Sequence, residues 1–194
     1  MLSNEINYIV SGLERSGTSV MMQMLHNGGM PVGFDNERSA DEHNPRGYFE
    51  LAGGKIINRL MDRVFDFEPY RGKIIKITAY GLQFLPAGNY SVIYMMRNIE
   101  EILNSMQKMG ADIDRENDRI LFDKLNRFSF DLMEKRDDIK YNTIHYGDVI
   151  NSPRNELERV ATFFGATFDI ESAVTAVDPK LYRNRSENGN QSQR

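Results

Sequence analysis

The sequence predicts an α/β fold in one domain: a central parallel sheet with helices on both faces. Three observations predict it. Apolar runs of strand length alternate with segments of helical periodicity along the chain. The run from Ser91 to Met96 is nearly continuously apolar, as suits a parallel strand covered on both sides. With 194 residues and neither an internal repeat nor an interdomain linker, the chain suits a single core.

The first element, Ile6 to Val10, is apolar and partly β-branched, and is read as the central strand. It abuts a loop bounded by Gly12 and Gly17, the spacing of the phosphate-cradling pattern G-x-x-x-x-G-K-[ST]. This spacing makes the predicted sheet P-loop NTPase-like. Thr18 takes the lysine slot, Ser19 keeps the hydroxyl that follows it, and the positive charge moves to Arg15 inside the loop.

A helix from about Gly17 to Leu25 follows, with Val20, Met21, Met24 and Leu25 on one face, and Asn27-Gly28-Gly29 supplies its C-cap. Residues 30 to 52 hold Pro31, Pro45 and many Gly, Asp and Asn, the composition of a long loop. Ile56, Ile57, Leu60, Met61 and Val64 predict a helix over about Gly54 to Phe65. Strands are expected at Lys73 to Ile77 and Ser91 to Met96.

Asn98 with Glu101 reads as a variant capping box opening a helix that buries Ile99, Ile102, Leu103, Met106 and Met109. A longer helix, Arg115 to Lys135, is expected to bury Leu121, Leu125, Phe128 and Leu132. Tyr141 to Tyr146 returns as a strand, and Ser152-Pro153 opens a helix ending at Gly165. The domain is expected to span residues 1–185. Residues 186–194 carry no apolar side chain and read as a disordered tail.

Composition narrows the function. An apolar fraction of 40% with 27% charged residues describes an ordinary globular chain, and a net charge of −4 argues against nucleic acid as a partner. The absence of cysteine excludes disulfides and thiolate metal sites. The polar, acidic N-terminus lacks signal-peptide features, and no window has the apolar length of a membrane span. A cytoplasmic protein without a membrane partner is expected.

The loop chemistry is anion binding. Successive backbone N–H groups and the positive end of the following helix attract an anion, and the Arg15 guanidinium adds a planar fork of donors. The lysine that grips the terminal phosphates of a triphosphate is missing. That points to a nucleotide whose transferred group is not a γ-phosphate. The strand Ser91 to Met96 ends in Arg97 where many P-loop NTPases place a metal-binding Asp; a cation there suits a second phosphate, and no metal is expected. Ser105 lies on the next helix, on the polar side with Glu101 and Lys108.

These segments resemble the P-loop sulfotransferases that use 3′-phosphoadenosine 5′-phosphosulfate (PAPS) and release 3′-phosphoadenosine 5′-phosphate (PAP), in particular a compact, soluble bacterial or viral type. Gly12-Leu-Glu-Arg-Ser-Gly-Thr-Ser19 looks like their 5′-phosphosulfate loop, which assigns cofactor contacts to Glu14, Arg15, Ser16, Gly17, Thr18 and Ser19. Arg97 with Ser105 looks like their 3′-phosphate pair. The resemblance continues, in the family's order, through Asn44-Pro-Arg-Gly-Tyr-Phe-Glu50, Tyr146-Gly-Asp148, Phe163-Phe-Gly165 and Asp178-Pro-Lys-Leu-Tyr-Arg183. The C-terminal Arg-Lys-Gly nucleotide motif of cytosolic members is missing, leaving Arg183 or Arg185 as substitutes, and the anchor of Golgi members is absent. The resemblance implies transfer of a sulfuryl group to a hydroxyl or amine of a carbohydrate or other small acceptor.

Such an acceptor needs a general base. The long loop offers Asp35, Glu37, Asp41, Glu42, His43 and Glu50. Glu50 is favoured because it closes the family-like stretch and because Phe49 and Leu51 flank it with apolar surface. His43 is second, its ordinary titration range suiting proton transfer near neutrality. Arg15 completes the proposed catalytic set, and Arg46 and Tyr48 are candidates for the acceptor pocket. His26, His145 and the methionines read as structural. The competing readings are a small nucleotide or metabolite kinase and a non-catalytic nucleotide-binding protein.

Overall fold

A computed structural model describes residues 1–35, 37, 44 and 47–177. It contains a five-stranded parallel sheet of order β2-β3-β1-β4-β5, formed by β1 (Asn7–Gly12), β2 (Val32–Gly33), β3 (Ile74–Lys76), β4 (Tyr90–Met96) and β5 (Ile139–His145). The first strand is central, as its apolar run and its glycine loop predict.

Side chains alternate across this sheet and divide the core into two layers. Tyr8, Val10, Ile74, Ile93, Met95 and Ile144 meet α1 (Thr18–Asn27), α6 (Pro153–Phe164) and α7 (Ile170–Val174), with Val149 of α5 (Tyr146–Asn151) in the same layer. Ile9, Ile75, Val92, Tyr94 and Ile139 meet α2 (Ile56–Met61), α3 (Ile99–Lys108) and α4 (Arg115–Lys135) on the opposite face. This is the doubly covered parallel sheet that the continuous apolar character of β4 predicts.

The helix ends follow from local chemistry. Asn98 accepts a hydrogen bond from Glu100 N at 2.9 Å and caps α3, while Glu101, the expected capping partner, forms an ion pair with Arg97. Pro153 starts α6, and Gly165, in a left-handed conformation, ends it. The helix expected over 54–65 is shorter. It stops at Met61, and Arg63 turns left-handed with φ 56, so Met61 and Val64 are exposed instead of buried.

Another departure concerns α4, whose boundaries match the expectation but whose buried face does so only in part: Leu125 and Leu132 pack partly buried against the core, as expected. Leu121 and Phe128 are 57% and 44% exposed, whereas Asn126, Ser129 and Met133 are buried. Tyr94 Oη donates to Asn126 Oδ1 at 2.9 Å, and Ser129 Oγ donates to the Leu125 carbonyl at 2.8 Å. Both polar side chains are therefore satisfied inside the helix–sheet interface.

At the other end of the sheet Arg136 ties β4 to β5. It donates to the carbonyls of Leu85 and Pro86 and to Asp138, whose carboxylate also accepts from Gly88 N. The Arg136 hydrogen bond holds the Asp138 carboxyl down at about 2. A folded-state value below the unfolded one stabilises the fold above the ordinary Asp range, near 4, and that contribution is lost as pH falls through about 2. Urea unfolding of wild type and Asp138→Asn is thus expected to differ at pH 5 and to converge toward pH 2. A gap independent of pH would remove this ionic contribution.

Among the described residues, no helix is long and apolar enough to cross a membrane. The expected tail at 186–194 lies outside the described residues.

Candidate functional site

The site forms at the C-terminal edge of β1, with β3 on one side and β4 on the other, where the strand order switches direction. Gly12 (φ 145) and Gly17 (φ 102) bound the loop, and Arg15 is held at φ 64 between them. Glycine is required at both ends by contact as well as by backbone. A Cβ on Gly12 would lie 2.5 Å from the Met95 carbonyl and from Ser16 Oγ, and one on Gly17 would lie 2.4 Å from the Tyr146 ring. No side chain caps α1 at Gly17, and first-turn N–H groups of a helix lack intrahelical acceptors, so these donors face the loop.

On the β4 side the structure brings together the residues that the sequence assigned to opposite ends of the nucleotide. Arg15 Nε donates to Ser105 Oγ at 3.2 Å, and Arg97 Nη1 donates to the Arg15 carbonyl at 3.0 Å. Arg97 Nε donates to Glu101 at 3.1 Å, and its guanidinium lies 4.4 Å from the Tyr146 ring centroid. Ser105 and Glu101, on the polar side of α3, are nonetheless buried, whereas Lys108 is exposed. Burial pushes the Tyr146 phenol upward, partly offset by Arg97, so the ring remains a neutral platform under the cation.

On the β3 side stands a residue that the sequence reading passed over. Lys76, only 5% exposed, ends β3 and reaches across to α1 and the long loop. Its Nζ donates to Ser19 Oγ at 3.2 Å and to the Tyr48 carbonyl at 2.6 Å, and pairs with Glu50 Oε1 at 2.8 Å. The loop's missing lysine is thus answered by an ammonium from a neighbouring strand, placed on the loop's own hydroxyl. A lysine between Ile75 and Ile77 in a doubly covered strand was a readable signal, because an isolated charge is not buried there without partners.

Glu50 therefore faces an ammonium rather than purely apolar flanks. Its backbone is pinned: Asp35 N donates to the Glu50 carbonyl at 2.9 Å, and Ala52 N donates to the Asp35 carboxylate. Phe49 and Ala52, on either side of it, adopt φ 53 and 54, strained values for side-chain-bearing residues. Phe49 packs against His26 and Phe34.

Among the loop hydroxyls, Ser19 joins the Lys76 network, also donating to the Tyr48 carbonyl at 3.3 Å, and Thr18 is buried. Ser16 Oγ is buried with no hydrogen-bond partner among the described residues. Glu14 is exposed. His43, Arg183 and Arg185, together with Asp41, Glu42 and Arg46, lie outside the described residues. Among the described residues no cluster of His, Asp or Glu forms a metal-binding group.

The chain's fold is similar to that of the sulfotransferase domain of the Synechococcus PCC 7002 olefin synthase, with a TM-score of 0.53 and 17% identity over 96% of this chain and 90% of that one. It is also similar to the sulfotransferase domain of the curacin biosynthetic pathway, with a TM-score of 0.51 and 14% identity over 86% of this chain and 76% of that one. A sugar kinase from Janibacter sp. HTCC2649 aligns at a TM-score of 0.41 and 12% identity, over 89% of this chain and 98% of that one. No protein-family model matches the chain, and no curated protein matches its sequence. At these identities the likeness extends to the fold: an α/β, P-loop-type sheet shared with sulfotransferase domains.

Proposed function

We propose that the protein is a PAPS-dependent sulfotransferase acting on a hydroxyl or amine of a carbohydrate or other small acceptor. The observation that carries the proposal is the distribution of cations around the glycine loop. Lys76 stands on its β3 side and Arg15 with Arg97 on its β4 side, with Thr18 in the lysine slot. The donor set suits PAPS: loop amides and the buried Ser16 hydroxyl, without a partner among the described residues, for a 5′-phosphosulfate, and Arg97 with Ser105 for a 3′-phosphate. PAPS, when bound, supplies an activated sulfuryl group.

The chain's own groups have distinct parts. Lys76 and the loop N–H groups place fixed positive charge where negative charge accumulates on a departing phosphate oxygen. Arg15, held through Ser105 and Arg97, adds charge from the opposite side. Glu50, paired with Lys76, takes the proton of the acceptor hydroxyl or amine.

PAP is expected to raise the thermal unfolding midpoint by several degrees at saturating concentration, and ADP far less. Labelled sulfate should pass from PAPS to at least one member of an acceptor library. Protection by Mg·ATP or ADP in preference to PAP would overturn the proposal in favour of a kinase, and PAP protection without transfer to any acceptor would favour a non-catalytic binder.

A further inference from the structure

The Arg97 guanidinium is held along two directions. Its Nε donates to Glu101 Oε2 at 3.1 Å, and its Nη1 donates to the Arg15 carbonyl at 3.0 Å. The two side chains of the ion pair are 8% and 6% exposed, so neither wanders in solvent. Glu101 belongs to the first turn of α3, whose backbone is fixed by the Asn98 cap. A guanidinium is a rigid planar fork of five N–H donors, so tethering Nε and Nη1 sets the direction of the rest.

Charge alone argues against a carboxylate at this position. A negative group beside Arg97 cancels part of the field that a phosphate would feel, and two anions on one cation repel. Geometry argues for it. Without an acceptor on Nε, the fork can rotate about its last torsions and release the Arg15 carbonyl, detaching the β4 edge from the glycine loop.

We infer that Glu101 is a positioning residue for the nucleotide's 3′-phosphate, acting by aiming Arg97 and keeping it docked on the loop. The inference rests on the PAPS reading of the site. It has a sign opposite to simple electrostatics. Removing the Glu101 carboxylate, charge and acceptor together, should strengthen PAP binding if the charge dominates and weaken it if aim dominates, whereas a general structural role would affect all adenine nucleotides alike.

The test is calorimetric binding of PAP and of AMP, which lacks the 3′-phosphate, to wild type, Glu101→Leu and Glu101→Gln. PAP affinity is expected to fall by about tenfold or more in Glu101→Leu, which leaves Arg97 Nε without this acceptor, while AMP affinity changes by less than about twofold. Glu101→Gln removes the charge but keeps an acceptor at the same reach, and should fall between wild type and Glu101→Leu for PAP alone; it also serves if the leucine variant does not fold. Tighter PAP binding, an unchanged preference for PAP, or parallel losses for both nucleotides would overturn the inference alone. Wild type without measurable affinity for PAP would overturn the PAPS reading, and this inference with it.

Discussion

Lys76→Met is expected to lower sulfate transfer by roughly 10²–10³-fold, the usual effect of removing one preorganised donor from a developing oxyanion, while PAP affinity falls by less than tenfold. The asymmetry arises because Lys76 touches the loop hydroxyl of Ser19 and the carboxylate of Glu50, whereas the loop amides remain to hold the phosphate. The substitution also leaves Glu50, 14% exposed, without its ammonium, which should cost about 3 kcal/mol of stability. Lys76→Met combined with Glu50→Gln separates the two effects. The double variant should recover most of the stability in urea unfolding and none of the turnover from labelled PAPS. Recovery of turnover would remove both Lys76 and Glu50 from the chemistry and leave them a structural ion pair.

Gly17→Ala is expected to damage both fold and binding. An L residue at φ 102 is strained, by about 1–2 kcal/mol for the left-handed backbone, before any contact is considered. Its Cβ would then stand 2.4 Å from the Tyr146 ring, an overlap costing about 1–3 kcal/mol more. Together these lower the thermal midpoint by on the order of 5–15 °C for a chain of this size. Because Tyr146 also supports the Arg97 guanidinium, relief by moving the ring would disturb the β4 side of the site. Gly17→Ala combined with Tyr146→Leu, with less bulk opposite the new methyl group, should regain part of the midpoint but not PAP affinity. Scanning calorimetry and PAP titration of both variants measure this, and an unaltered midpoint in Gly17→Ala would show that the loop tolerates a side chain there.

Much of the fold was legible because its signals are local. The apolar runs at β1 and β4, the Asn98 cap and the Pro153 and Gly165 boundaries each depend on a few adjacent residues. The β4 side of the site was legible for a similar reason: Arg97, Glu101 and Ser105 share one strand end and one helix. Their union with Arg15 was not, since it depends on how far a side chain reaches between strands.

Part of the buried face of α4 escaped because the burial of Asn126 and Ser129 follows hydrogen bonding rather than hydrophobicity. Asn126 lies inside because Tyr94 supplies a donor, and no periodicity of apolar residues records that. Lys76 escaped for the converse reason. Its partners Ser19, Tyr48 and Glu50 lie in other elements, so in the linear chain it reads as an ordinary strand terminus.

The pairing of Val10 with Lys76 gives this lysine a role in folding as well. Were β3 to slide by one position along β1, its ammonium would invert into the layer of Leu60, Leu82 and Ile102, far from any carboxylate of the loop. A stranded cation in hydrocarbon is among the heaviest penalties a misfolded sheet can incur. The side chain assigned to the chemistry therefore also proofreads the assembly of the strands that present it.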